Sequence, residues 1–312
     1  MHGGEIISDS KINTSFFIID GNRREAKKNL LIELYLEEKR IYKKLLDLNP
    51  SKLAESVDNR IKAFVENGVD KITNPDNLSL FNIPLQEDIK RIYYRLLFQA
   101  YVTGAEKVVK VIKEFPAKNI VIYGLSLDNL NRRPWQELKP IMDAMLDFCN
   151  KWIKEPENKN IQILTVGEMD RIEEMGGKDF VQKWREVEEF SKKGKVKKRA
   201  YILLAYDHGE ELKRAVRCAL ENGGKLDDFL EVPNIDVCIR TGGEKRLSGG
   251  PMYQMRNAEL IFDCTTYWPS ITSENIKAWV EEYLSRNRRG GVSYVLYRLQ
   301  KDCRSACEHL VY

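Results

Sequence analysis

Six short apolar runs punctuate the chain, at Phe16–Ile19, Ile120–Leu125, Ile161–Val166, Tyr201–Ala205, Val237–Ile239 and Leu260–Phe262. Each is brief and rich in β-branched or aromatic side chains, the pattern of strands buried on both faces. Between several of them the period lengthens. Val108, Val109, Val111 and Ile112 form a helix face leading into the second run, and Leu212, Ala215, Val216 and Ala219 recur at helical spacing after the fourth. This alternation predicts a single α/β domain, with a central, mostly parallel sheet of about six strands flanked by helices. Ligands of such sheets gather outside the carboxyl ends of the strands.

The stretch from about residue 29 to 100 breaks the alternation. Leu30, Leu31, Leu34, Ile41, Leu45 and Leu46 share one face of a long charged helix. A second helical pattern runs from Lys52 to about Val65, and a loop rich in Pro, Asn and Asp follows near Asn74–Asn77. A third helix runs from Gln86 towards Lys113, with a bend expected near Gly104. With no strand pattern and no flexible linker, this reads as a helical insertion on the sheet, not a second domain. A lid or apolar substrate wall is one reading; extra packing helices or a dimer surface is the other.

Composition narrows the picture modestly. With 312 residues, 43% of them hydrophobic, the chain can build a core without disulfides, and its six scattered cysteines fit reduced thiols. Cys303, Cys307 and His309 lie close together but match no zinc spacing, and read as incidental residues of a helical tail. No apolar run approaches the ~20 residues that span a bilayer. The polar N-terminal stretch lacks the apolar core of a signal peptide, so a cytoplasmic protein is expected. The net charge of +4 suits an anionic substrate without requiring one. The basic run Lys192–Arg199 has no interleaved aromatics and is expected to be a solvated loop, with no nucleic-acid partner.

Three constellations carry chemistry, each just past an apolar run. The first is Asp20-Gly21-Asn22-Arg23-Arg24. A carboxylate at a strand end can hold Mg2+, glycine lets backbone N–H groups turn towards an anion, and arginines clamp phosphate oxygens. A plain Asp-Gly turn with surface arginines is the competing reading. The second is Ser126, Asn129 and Arg132, in a polar loop that opens a helix near Pro134. The third is Arg240-Thr241-Gly242-Gly243-Glu244-Lys245-Arg246-Leu247-Ser248, in which two arginines, a hydroxyl and a glycine pair suit a diphosphate. It contains no P-loop pattern. Glu259, which opens the last apolar run, is either a second carboxylate for the metal or an ordinary surface acid.

Together these residues resemble the cis-prenyltransferases, the undecaprenyl diphosphate synthase-like family. The resemblance rests on Asp20–Arg24, Ser126–Arg132, Arg240–Ser248, Ala258-Glu259 and Trp268-Pro269, and covers about residues 15–27 and 100–291. It implies a parallel-sheet α/β fold, a homodimer and a Mg2+-dependent transfer from an allylic prenyl diphosphate to a second substrate, normally isopentenyl diphosphate. Peripheral membrane contact also fits. Carried over, Asp20 binds Mg2+ and assists the leaving diphosphate, while Gly21, Asn22, Arg23 and Arg24 hold it. Ser126, Asn129 and Arg132 line the reacting centre. Arg240, Arg246 and Ser248 bind the second diphosphate, and Glu259 helps with metal or substrate positioning. Arg288-Arg289-Gly290-Gly291 resembles a terminal segment able to reach a partner's site.

Four positions depart from the family pattern. Tyr101 stands for its histidine, Leu130 for an aromatic, Ser248-Gly249-Gly250-Pro251-Met252-Tyr253-Gln254 for an S-N-F/L-x-x-W-Q stretch, and Ser270 for an aspartate. They imply an enzyme that still ionises an allylic diphosphate but has relaxed acceptor use. Short or irregular products, or an alcohol acceptor, would follow. A regular cis-polyprenyl diphosphate synthase and a non-catalytic partner subunit are the alternatives.

Overall fold

The computed structural model describes residues 12–30, 32–33 and 87–286. The expectations for residues 34–86 and for the C-terminal Arg288–Gly291, Cys303, Cys307 and His309 lie outside the described residues. Six strands form one sheet: β1 Thr14–Ile18, β2 Asn119–Tyr123, β3 Ile161–Val166, β4 Lys198–Leu203, β5 Val237–Arg240 and β6 Glu259–Phe262. Their order is β3-β4-β2-β1-β5-β6, and every pairing is parallel. β1 and β2 lie at the centre and are buried along their whole length, which is why their sequences read as unbroken apolar runs.

The helices in chain order are α1 (22–30), α2 Glu87–Glu114, α3 Leu127–Arg132, α4 Trp135–Trp152, α5 Met169–Glu174, α6 Lys178–Ser191, α7 His208–Asn222 and α8 Ser273–Ser285. Successive side chains of β1 enter different cores, as the strand period demands. Phe17 joins Val111 of α2, Leu138 of α4, Phe180 of α6 and Trp279 of α8 on one face. Phe16 and Ile18 join Val121, Leu203 and Tyr206 on the other.

α2 is helical throughout, Gly104 included. The glycine is there for closeness: a Cβ would stand 2.6 Å from Asn22 Oδ1 and 3.3 Å from Trp268 Cδ1, and the Gly104 carbonyl accepts from Trp268 Nε1 at 2.8 Å. The basic run Lys192–Arg199 is not all solvated loop, since its last two residues open β4. The Lys198 ammonium donates to the carbonyls of Ile112 and Phe115 at 2.8 and 2.9 Å, satisfying orphan acceptors at the end of α2.

Candidate active site

The loops after β1 and β5 meet because those strands are neighbours in register, with Ile18 opposite Arg240. The Thr241 hydroxyl ties them, donating to the Asp20 carbonyl at 2.8 Å and accepting from the Asp20 N–H at 3.3 Å. Gly242, at φ +86°, passes so close that a Cβ would lie 2.9 Å from the Asp20 carbonyl carbon. Only glycine fits both that backbone and that contact.

Asp20 is the electrostatic centre. Its Oδ2 accepts from Arg240 Nη2 at 2.7 Å, and its Oδ1 accepts from the Gly21 N–H at 2.7 Å and pairs with Arg24 Nη2 at 3.0 Å. Burial pushes the carboxyl up, but the hydrogen bond from Arg240 and the charges of Arg24 and Arg240 outweigh it and hold the group below the usual carboxylate range. Asp20 is therefore ionised at neutral pH. Arg240 is 3% exposed. It also donates from Nη1 to Ser248 Oγ at 2.8 Å and to the Arg246 carbonyl, while its Nε is buried with no partner. Arg246 pairs with Glu244 at 2.6 Å.

These groups rim a cavity of about 600 Å³. Inward, its walls turn apolar: Ile122 and Ile202 from the sheet, Val108 from α2, Ala144 and Phe148 from α4, and Trp184 from α6. Within that wall Phe148 stacks on Trp184, with centroids 5.6 Å apart and planes at 26°. A charged, polar rim thus gives way to an apolar wall.

The structure places the predicted residues unevenly. Asp20, Asn22, Arg23, Arg24, Asn129, Arg240, Arg246 and Ser248 all line the cavity. Gly21, at φ +109°, lies directly under Tyr267, where a Cβ would approach to 2.9 Å. Arg23 turns away from Asp20 to pair with Glu137 at 3.1 Å. Asn22 Oδ1 is buried without a partner. Ser126 does not line the cavity; it is the N-cap of α3 and accepts from the Asn129 N–H at 3.0 Å.

Two placements correct the sequence reading. Arg132 is on the outer face of α3, paired with Asp128 one turn earlier at 2.6 Å, its side chain 80% exposed. Arg133 takes the inward place, lining the cavity and donating from Nε to Asn129 Oδ1 at 3.1 Å and from Nη1 to the Tyr101 hydroxyl at 3.3 Å. The cause is local: Pro134 disfavours helix at the residue before it, and Arg133 is extended at φ −79°, ψ 139°. The Asp128–Arg132 spacing was the available clue, because i,i+4 opposite charges pair on a helix surface. Glu259, in turn, does not join Asp20 within this chain. It pairs with Val237 at the start of β5, whereas Arg240 pairs with Phe262 at the end, so the two levels are about 10 Å apart at 3.3 Å per residue. Glu259 instead binds Arg286 at 3.1 Å.

This architecture is that of a cis-prenyltransferase. Residues 96–291 match the family model described as "Putative undecaprenyl diphosphate synthase", so the chain belongs to that family. It is 28% identical over 198 residues to an isoprenyl transferase of Aquifex aeolicus, covering 60% of this chain and 82% of that one. It is 30% identical over 213 residues to the tritrans,polycis-undecaprenyl-diphosphate synthase (geranylgeranyl-diphosphate specific) of Pyrobaculum aerophilum, covering 62% and 87%. The crystal structure of lavandulyl diphosphate synthase from Lavandula x intermedia, in complex with dimethylallyl diphosphate, shares the fold with a TM-score of 0.59 at 18% identity, covering 89% and 97%. The protein is thus a prenyltransferase enzyme of isoprenoid biosynthesis. Among the described residues no helix is long and apolar enough to cross a membrane.

Proposed function

We propose that the enzyme extends a short allylic diphosphate with isopentenyl diphosphate and stops at short products. The cavity carries this reading. Its volume of about 600 Å³ lies within the roughly 300–1,000 Å³ of small-molecule sites, and the Phe148–Trp184 stack forms part of its apolar wall. Among the described residues, two diphosphates at the rim leave space in this volume for a short tail.

In this reading Arg24, the Gly21 backbone, Asn22 and Arg133 hold the allylic diphosphate, while Arg240, Arg246 and Ser248 hold that of isopentenyl diphosphate. Asp20 fits Mg2+. It is an ionised carboxylate at the cavity rim, and a carboxylate has about four acceptor positions, of which its contacts with Gly21, Arg24 and Arg240 occupy three. Mg2+ uses one or two carboxylates and is completed by substrate phosphates and water, so one carboxylate here suffices. When bound, Mg2+ supplies positive charge to the leaving diphosphate.

The allylic C–O bond breaks and the departing diphosphate takes the electron pair. Arg24 and Arg133 stabilise that charge, while Ile122, Val108 and Ala144 keep water from the carbon cation. The isopentenyl double bond attacks the cation, a C–C bond forms, and a diphosphate oxygen takes the proton then lost. A second reading, transfer to an alcohol, is favoured by the Gly249-Gly250-Pro251 departure beside Ser248.

One assay separates these outcomes: geranyl diphosphate and isopentenyl diphosphate with Mg2+, products read by mass spectrometry. Short prenyl diphosphates support the reading, and Trp184→Ala should lengthen the longest product. Only long, regular polyprenyl diphosphates from the unaltered enzyme would refute it.

A further inference from the structure

The turn that presents Ser248 is held in a costly conformation. Ser248 has φ +51°, a left-handed backbone that non-glycine residues adopt only when their surroundings impose it. Two anchors impose it here. On one side, the Tyr123 hydroxyl at the end of β2 donates to the Ser248 carbonyl at 2.9 Å. On the other, Arg240 Nη1 donates to Ser248 Oγ at 2.8 Å.

The Tyr123 ring is itself fixed. It packs against Phe16 and, edge-on, against Tyr206, each with centroids 6.0 Å away. Tyr206 donates its hydroxyl to Glu211 of α7, a carboxylate 1% exposed. Glu211 also accepts from the N–H groups of Glu231 and Val232 at 2.8 and 3.0 Å and from Gln254 Nε2 at 2.9 Å. The segment from Ser248 to Gln254 is thus pinned at both ends from beneath. Between the pins, Gly250 lies on Phe16, where a Cβ would approach to 2.8 Å. Burial, then the negative charge of Asp207, pushes the Tyr123 hydroxyl up, so it keeps the proton it donates. Tyr123 does not line the cavity; it acts through Ser248.

We infer that Tyr123 is a positioning residue for the second diphosphate site: its hydroxyl holds the Ser248 turn so that Ser248 Oγ, and the Arg240 guanidinium bonded to it, face the isopentenyl diphosphate head group. This rests on the reading proposed above and deepens it. The side chain at position 123 should therefore tune affinity for one substrate and not for the other.

The test is calorimetric titration of Tyr123→Phe and the unaltered enzyme with isopentenyl diphosphate and Mg2+ in the absence of any allylic donor, followed by steady-state kinetics. Binding should weaken at least fivefold in Tyr123→Phe, and the KM for isopentenyl diphosphate should rise in step. The KM for geranyl diphosphate should stay within twofold. Hydrogen exchange should quicken at amides 246–250 while the strand amides stay protected, which separates a loosened turn from a damaged fold. Isopentenyl diphosphate binding within twofold of the unaltered enzyme, or equal losses for both substrates, would overturn the inference. An unaltered enzyme that binds isopentenyl diphosphate but consumes no allylic diphosphate would refute the proposed function, and the binding comparison would still decide the role of Tyr123.

Discussion

The two ends of the sheet treat charge in opposite ways. At the amino ends, Asp236 accepts from the N–H groups of Asn13 and Thr14 at 2.8 and 2.9 Å, Lys198 caps the carbonyls closing α2, and Glu259 is held by Arg286. At the carboxyl ends, Asp20, Arg24 and Arg240 form a cluster facing a cavity. There, Arg240 Nε and Asn22 Oδ1 are buried without partners, and Ser248 is left-handed. Charge met by the chain's own backbone is architecture. Charge gathered at a cavity, with polar atoms left over, is a binding site, because burying such groups without later compensation is costly.

The sharpest way to break this contrast is a pair of substitutions, one at each end. Arg240→Ala should lower kcat/KM on the order of a thousandfold, because the second diphosphate loses its arginine and Asp20 its buried partner. Asp236→Ala should leave turnover per folded molecule nearly unchanged but reduce stability by about 3 kcal/mol in denaturant unfolding, since two N–H groups lose their acceptor. If the two variants exchanged these effects, the contrast would be wrong.

A smaller effect tests the same logic across a single peptide bond. Arg133→Ala should cost roughly tenfold to a hundredfold in kcat/KM, the worth of one charge-assisted hydrogen bond to a diphosphate. Arg132→Ala should stay within about twofold, as expected for an exposed i,i+4 pair. Steady-state kinetics on both variants checks this, and equal losses would mean that both side chains reach substrate.

Much of this was legible in the residues. Buried parallel strands require continuous apolar runs, so all six were visible, and the Asp20 and Arg240 loops stood out by composition. Strand starts were less visible. Thr14, Asn119 and Lys198 are polar or charged yet open strands, because their side chains serve contacts the apolar pattern does not encode. Glu259 was misplaced for a reason present in the sequence: it opens its run whereas Arg240 closes its own, and in a parallel sheet those are opposite ends. The Arg132–Arg133 choice depended on where α3 stops, a boundary set by Pro134 and by side-chain direction, which residue type alone does not specify.

The central claim is that the Asp20 and Arg240 loops together draw diphosphate from an allylic carbon. Release of inorganic pyrophosphate from geranyl diphosphate, followed with isopentenyl diphosphate and Mg2+ in the unaltered enzyme and in Asp20→Ala, tests it most directly. The account predicts steady release by the unaltered enzyme and almost none by Asp20→Ala. Equal release by both would contradict it.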